Sequence, residues 1–403
     1  MGLLSRIFDW DKHKKFSPNS HGEIYGTDHD DEINYKDSWD DWDKLYVDAK
    51  RGDDEVDFSD SRYRVEIIGY RGDDTLKGGR KDDTIYGDKG LDKLYGNEGD
   101  DNIYGGDDDD YIVGGSGYDK LVGDSGDDTI KGGSDKDNIY GGKGGDSIMG
   151  DAGNDKIDAG DDDDYVNGGK GNDSIKAGYG SDTIHGGKGK DKIECERGNN
   201  IVYGDSGNDK IYDGQEKDEI HAGSGDDKIY LKKSGSNKVY GDSGNNTIYC
   251  ETSKNKIFLG KTSDTIVFDS DAKSNTIKFT NTNSTLLLKF ESSSITATKT
   301  KSTVKITCGD NTVTVKNYKG GTFNVKHGSV TQSIEDILNP PQSNTNTQSF
   351  KAFKSLKAAD AINQEVVAWK SANANTDMQA LIDANTTNEM PNVAVAFTNN
   401  NQV

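Results

Sequence analysis

From Ile67 to Ile229 one aliphatic side chain recurs every ninth residue, through Leu76, Ile85, Leu94, Ile103, Ile112, Leu121, Ile130, Ile139 and onward without a slip. The residues on either side of each are polar or aromatic, as in Thr75-Leu76-Lys77 and Thr84-Ile85-Tyr86. An inward residue with outward neighbours is strand alternation, and a strand of about three residues is all that fits between turns this closely spaced. A helix is excluded, because one apolar position in nine, with glycine filling about a third of the rest, leaves no amphipathic stripe. Written from the aliphatic residue, the unit reads aliphatic, x, Gly, Gly, x, Gly, x, Asp, x. The glycines supply positive φ and close backbone approach in a tight turn.

Repeats of this length cannot bury a face alone and must stack. Two units make one turn of a flattened coil, so that units two apart stack at about 4.8 Å. The pattern therefore predicts an all-β chain wound as a flattened coil of short stacked strands. The aspartates then fall into two columns. One holds Asp74, Asp92, Asp110, Asp128, Asp146, Asp164, Asp182, Asn200 and Asp218; the other holds Asp83, Asp101, Asp119, Asp137, Asp155, Asp173, Asp191, Asp209 and Asp227.

Charge turns this stacking into a problem. The 403-residue chain carries 72 acidic and 49 basic residues, a net −23. Residues 67–228 hold 40 acidic and 20 basic residues, so −20 of that charge belongs to the repeats. Such a surface repels nucleic acid and anionic membranes and attracts cations. Carboxylates about 5 Å apart repel by roughly 3 kcal/mol per pair at an effective dielectric near 20, and the repeats contain no matching basic column. A divalent cation bridging successive turns removes that repulsion. Carboxylates and turn carbonyls form an all-oxygen environment that suits calcium, and His and Cys are missing from these positions, which argues against transition metals.

The stretch IVGGSGYDKLVGDSGDDTI, Ile112 to Ile130, carries the motif GGxGxDx followed by an aliphatic residue. Residues 67–265 accordingly resemble the nonapeptide repeats of RTX (repeats-in-toxin, haemolysin-type calcium-binding) proteins. The resemblance implies a right-handed parallel β-roll, a β-solenoid of nonapeptide repeats, with several calcium ions between successive turns, held by backbone carbonyls and by the aspartates of the two columns: Asp74, Asp83, Asp92, Asp101, Asp110, Asp119, Asp128, Asp137, Asp146, Asp155, Asp164, Asp173, Asp182, Asp191, Asp209, Asp218 and Asp227. It also implies secretion by type I machinery and an extracellular location. Lys81, Asp108, Asp135, Asp162 and Glu216 stand where the third glycine belongs, which predicts altered turn geometry there. Glu194 to Asn200, ECERGNN, lacks the leading glycines and the aspartate, so a weak or missing site is expected. Asn246 and Asn255 at the ligand position predict rungs closed by amide hydrogen bonds instead of metal, and Asp264 is at best an isolated ligand.

The flanks complete the predicted organisation. Residues 1–66 form an irregular N-terminal cap with degenerate repeats, with Trp39, Trp42 and Phe58 as packing candidates, and residues 67–276 form the roll. Residues 277–338, with alternating stretches such as STVKITCGDNTVTVKNY at 302–318, form an antiparallel β flank that covers the last rung. Residues 339–403 begin with Pro340-Pro341 and a polar run that read as a linker, followed by Phe350, Phe353, Leu356, Ile362, Val366 and Trp369 at helical spacing. This C-terminal helix and tail resemble the uncleaved type I secretion signal in position and character.

Several functions are disfavoured. GDSG at 123–126, 204–207 and 241–244 falls in register at the turns, with no partnering His and Asp, and HExxH and GxSxG are absent. The expected protein is not an enzyme. Cys195, Cys250 and Cys308 form no cluster and imply neither a disulfide framework nor zinc. No apolar run is long enough for a transmembrane helix, and the start MGLLSRIFDW fits neither a Sec signal peptide nor a myristoylation site. The positions after the aliphatic residue are rich in tyrosine, at Tyr86, Tyr95, Tyr104, Tyr203, Tyr212, Tyr230, Tyr240 and Tyr249. The alternative function is therefore a calcium-dependent adhesin with a cell-surface or glycan target, or an accessory module of an RTX toxin or extracellular enzyme.

Overall fold

A computed structural model describes residues 16–35 and 43–260 continuously, residues 262–338 in segments, and residues 394–395. The expected packing of Trp39 and Trp42, and the C-terminal helix from Phe350 to Trp369, lie outside the described residues. The chain forms two compact units, residues 1–201 and 202–403.

The first unit is a parallel β-solenoid. Successive repeats alternate between two sheets, because each turn reverses the chain and delivers the next strand to the opposite side. One sheet stacks Asn102–Asp107 on Lys120–Ser125, Asn138–Lys143 and Lys156–Asp161. The other stacks Lys93–Glu98 on Tyr111–Ser116, Thr129–Ser134 and Ser147–Ala152. Register follows the nine-residue period: Leu121 pairs with Ile103 and Ile139, and Ile130 with Ile112 and Ile148. The aliphatic side chains are fully buried and form a thin core between the sheets. Parallel pairing already begins at Glu23–Tyr25, whose Ile24 pairs with Val47, and Val47 pairs with Ile67. Phe58 is buried among these early rungs.

The turns answer the question of the missing glycines. Asp108, Asp135 and Asp162 adopt φ of 81°, 77° and 80°, so the expected local distortion is confined to a left-handed residue that aspartate tolerates. The pairing beyond each continues, with the Asp110 N–H still reaching Asp128 at 2.8 Å. Gly117, at the same repeat position, has φ 127°, a region closed to other residues, and a Cβ there would run into the carbonyl oxygen of Gly99. Gly117→Ala is expected to cost about 3 kcal/mol or more, combining strain with a backbone collision, measured as a fall in the urea midpoint in calcium. An unchanged midpoint would show that the turn can reorganise.

The second unit continues with the same architecture in modified form. Lys210–Tyr212, Lys228–Leu231, Thr247–Cys250, Thr265–Phe268 and Thr285–Lys289 stack in parallel, as do Glu219–His221, Lys238–Tyr240, Lys256–Leu259 and Asn275–Phe279. The one-residue slip at Val239 and the two-residue slip at Ile277 are absorbed in the turns, since Ile220 still pairs with Val239 and Ile257 with Ile277. Leu231, Cys250, Leu259 and Phe268 add a second buried hydrophobe per strand. An antiparallel flank follows: Ile295–Thr300 pairs with Thr303–Cys308, which pairs with Asn311–Lys316, and Asn324–His327 pairs with Val330–Ser333. Asn311–Lys316 also lies parallel to Asn275–Phe279 and so covers it.

Candidate metal centre

Every aspartate of the two predicted columns is buried. Stacking joins each to the next through a side-chain hydrogen bond: the Asp74 N–H donates to Oδ1 of Asp92, Asp92 to Asp110, Asp110 to Asp128, and Asp128 to Asp146, at 2.8 to 2.9 Å. That series continues through Asp164 and Asp182 to Oδ1 of Asn200. The second series runs from Asp83 through Asp101, Asp119, Asp137, Asp155 and Asp173 to Asp191. In the second unit the Asp209 N–H reaches Asp227, and the Asp218 N–H reaches Oδ1 of Asn237.

The other carboxylate oxygen is the informative one. Oδ2 of Asp74, Asp92, Asp101, Asp110, Asp119, Asp128, Asp137, Asp146, Asp155, Asp164 and Asp173 is buried and accepts no hydrogen bond. It points at the inward-facing second residue after the aliphatic position. A Cβ on Gly132 would lie 2.5 Å from Oδ2 of Asp137 and 2.8 Å from the carbonyl oxygen of Gly150; on Gly168, 2.6 Å from both Oδ2 of Asp173 and the carbonyl oxygen of Gly186. Thus a carboxylate oxygen from one turn and a carbonyl oxygen from the next converge over a glycine. Two acceptors facing each other in a dry interior repel unless a cation or proton lies between them. Asp83 and Asp218 differ, because their Oδ2 atoms accept the N–H of Gly79 and Gly214.

Asparagine rungs provide the internal comparison. The Nδ2 of Asn200 donates to the carbonyl of Cys195 at 3.1 Å, that of Asn275 to Ala272 at 3.1 Å and Thr252 at 3.0 Å, that of Asn255 to Thr252 at 3.3 Å, and that of Asn246 to Gly241. At the same position an amide closes the turn by itself where a carboxylate does not. The inward residue changes in step: it is Gly or Ala beside most aspartates, but Cys195, Leu231, Cys250 and Phe268 beside Asn200, Asn237, Asn255 and Asn275. Asn246, beside Gly241, and Asp264, beside Leu259, break the correlation. Oxygen donors, open glycine positions and orphaned carboxylates fit a hard cation such as calcium.

Burial raises the carboxyls strongly. Asp74, Asp101, Asp110, Asp137 and Asp164 are pushed up to about 8, Asp83, Asp128 and Asp155 to about 7, and Asp92, Asp119, Asp146, Asp173 and Asp227 to about 6. Desolvation is the leading cause in each, opposed by a backbone N–H, which sits on Oδ1 in all but Asp83, where the Gly79 N–H on Oδ2 comes first; in most, neighbouring carboxylates add to the rise. Asp128→Asn is expected to reduce the number of bound calcium ions by one or two while raising the strand content left in chelator, because the amide can close its turn. Calorimetry and circular dichroism read the two effects separately, and unchanged stoichiometry would remove Asp128 from the site.

Two sets of residues escaped the sequence pattern. The Asp31 N–H reaches Oδ1 of Asp54 at 2.7 Å, and the Asp54 N–H reaches Oδ1 of Asp74 at 2.8 Å, so the first column extends upstream. The segments HDDEI at 29–33 and GDDEV at 52–56 carry the same signal as GDDTL at 72–76, hidden by wider spacing. A second, exposed ladder precedes the buried one: Oδ1 of Asp73, Asp100, Asp109 and Asp127 accepts the N–H of Leu91, Tyr118, Asp127 and Gly145. The repeated Asp-Asp doublets were its sequence signal.

The class of protein defined by these features is a parallel β-solenoid whose turns hold buried, cation-demanding carboxylates. A family model for the RTX calcium-binding nonapeptide repeat (4 copies) matches at residues 68–103, 90–121, 113–148, 140–175, 158–193, 167–202, 196–229 and 233–266. The chain is an RTX-type repeat protein, and its repeats bind calcium. Among solved structures it is similar to a hyperactive, Ca2+-dependent, β-helical antifreeze protein from an Antarctic bacterium. Identity is 22%, covering 67% of this chain and 86% of that one, with a TM-score of 0.33, too loose a superposition to carry function across. No curated protein matches the chain.

Proposed function

We propose that this protein is a secreted, non-catalytic calcium-binding roll that stays unfolded in the low-calcium cytosol and folds outside the cell. The aspartates of both columns, from Asp74 and Asp83 to Asp218 and Asp227, act as ligands together with turn carbonyls, each carboxylate serving the turns above and below. Calcium supplies the positive charge that lets facing oxygens approach. The observation that carries this reading is the contrast between the orphaned Oδ2 atoms and the self-satisfied asparagine amides. Extracellular modules bind calcium at about 10⁻⁴ to 10⁻³ M, which matches folding after export.

The non-catalytic part rests on how the repeat uses its serines. Ser125 pairs with Lys143 in a sheet, while Ser206 and Ser243 each bridge to Ser224, so every GDSG serine belongs to a ladder. The tyrosine strip gives limited support to an adhesive role. Tyr212, Tyr230 and Tyr249 stack at 4.6 and 4.8 Å with nearly parallel rings, and Tyr203, His221, Tyr240 and Phe258 also stack in a file, so ring faces are spent on one another.

In this proposal residues 1–66 cap the roll at 67–276, residues 277–338 close its other end, and residues 339–403 form a linker and type I secretion signal. Deleting residues 345–403 is expected to abolish export from a host carrying a type I transporter while leaving calcium-induced strand formation intact. Export at the full-length level would reject the secretion reading without touching the calcium reading.

A further inference from the structure

Charge is divided unevenly along the chain. Residues 67–228 carry 40 acidic and 20 basic residues, whereas residues 229–338 carry 9 acidic and 15 basic, a net +6 within a chain of net −23. In the second unit this excess collects on one sheet. Lys238–Tyr240, Lys256–Leu259, Asn275–Phe279, Asn311–Lys316 and Thr303–Cys308 lie side by side in that order, with Val239, Ile257, Ile277, Val315 and Val304 buried beneath. Alternation turns Lys238, Lys256, Lys278, Lys316 and Lys305 outward, one on each of five successive strands, and all five are exposed. The other outward residues of these strands are Tyr240, Phe258 and threonines, and none is acidic. Lys278 lies directly opposite Lys316, where like charges repel. Glu219, on the strand beyond, pairs with Lys238 at 2.7 Å. Asp242 and Glu251 lie in the turns, Asp242 at 3.6 Å from Nδ1 of His221 and Glu251 at 3.4 Å from Lys232. Among the described residues Lys256, Lys305 and Lys316 make no ion pair.

The first unit carries the opposite pattern. Its turns at 105–109, 123–127 and 159–163 hold eight exposed aspartates and no basic residue. Lys143 is the cation of the turn between them, and Lys89, one turn earlier, pairs with Asp107. These acids are fixed in file. Asp107, Ser125, Lys143 and Asp161 stack in register, and Oδ1 of Asp109 and Asp127 accepts the N–H of Asp127 and Gly145. Both charge patterns sit on rungs of the same kind of coil, so both repeat at the inter-strand spacing of about 4.8 Å. Lysines of one molecule can therefore meet aspartates of another over several rungs, a match that a flexible polyanion reaches only by ordering its backbone.

We propose that the protein associates with further copies of itself, the lysine face of one molecule's second unit docking on the aspartate edge of another's first unit. The two surfaces differ, so the contact is heterologous, and a docked molecule keeps one surface free for the next copy. Net charge opposes the approach at long range, but salt of about 0.15 M screens it beyond about 8 Å. Calcium in the buried columns lowers the charge of the first unit and leaves its exposed edge acidic.

Sedimentation velocity of the full chain in millimolar calcium and about 0.15 M salt reads the assembly, with circular dichroism in parallel to confirm an unchanged fold. The expected result is a mass that rises beyond the dimer with protein concentration and returns to the monomer at about 1 M salt. Lys256→Glu/Lys305→Glu/Lys316→Glu removes the face. Asp107→Asn/Asp109→Asn/Asp161→Asn/Asp163→Asn neutralises the edge while keeping the Oδ1 acceptor at position 109. Each variant alone should stay monomeric; mixed, they should form a one-to-one complex that grows no further, because the first keeps its edge and the second its face. A wild type that is monomeric at every concentration, assembly that survives either variant, or a mixture that stays monomeric would overturn the proposal. A monomer that instead binds heparin would overturn it too, giving the lysine face to a foreign polyanion.

Discussion

Removing calcium at pH 8 with a chelator is expected to abolish most of the strand signal of residues 67–228 and expand the chain, and restoring millimolar calcium should recover both. The argument rests on local electrostatics. Most turns of this region bury a carboxylate whose Oδ2 is left without a hydrogen bond, many of them beside a carbonyl oxygen over a glycine, and the columns repeat that arrangement from unit to unit. Ionising a carboxyl pushed from 3.8 to about 8 in place costs on the order of 5 kcal/mol, at about 1.4 kcal/mol per pH unit. One buried aliphatic side chain contributes about 1.5 to 3 kcal/mol, so at the rungs of Asp74, Asp101, Asp110, Asp137 and Asp164 the core does not offset the carboxylate. Far-UV circular dichroism with light scattering checks the result; full strand content in chelator at pH 8 would show that the turns hold without metal.

Acidification should partly replace calcium. The folded-state values of about 6 to 8 lie above the ordinary 3.8, so between roughly pH 4 and 8 the folded chain binds more protons than the unfolded one. Stability of the metal-free roll is therefore lowest above pH 8, rises as pH falls through these values, and levels off below about 4. A protonated aspartate has a donor at Oδ2 for a nearby carbonyl, as Asn200 has its Nδ2 for the carbonyl of Cys195 in its own turn. In calcium the trend opposes this, because protons compete with the metal, and calcium affinity should weaken from pH 8 to pH 5.5. Strand content in chelator that is independent of pH, or greatest at pH 8, would contradict this account.

The period of nine made the fold legible because it appears three times over, in the aliphatic residues, the glycines and the aspartates. Even the slips before Val239 and Ile277 were visible as changes in spacing. The upstream rungs were harder to see. Ile24, Leu45, Val47 and Val56 pair in the same ladders, but their turns vary in length, and a period search sees length before it sees register. At the site, the columns followed from stacking alone, whereas the two oxygens of each aspartate became distinguishable only in three dimensions. That Oδ1 serves the backbone while Oδ2 is left over is a matter of which N–H lies one turn away. The pairing of asparagine with a bulky inward residue was written in the sequence, at Leu231 and Asn237 or Phe268 and Asn275, but had no meaning until both were seen to share one space.

Asn200 ends the first column of the first unit by taking the N–H of Asp182 on its own oxygen and spending its amide on Cys195. Upstream of it, Asp74, Asp110, Asp128 and Asp164 are each raised by the charge of a stacked neighbour in the file. Such a file is a one-dimensional lattice, in which occupancy at one position favours occupancy at the next and the sharpness of the collective response grows with the number of linked positions. Asn200 is then an insulating element that fixes the block length, and the steepness of a calcium titration measures that length directly: Asn200→Asp should steepen it if the block grows and leave it unchanged if Cys195 keeps the position closed to metal.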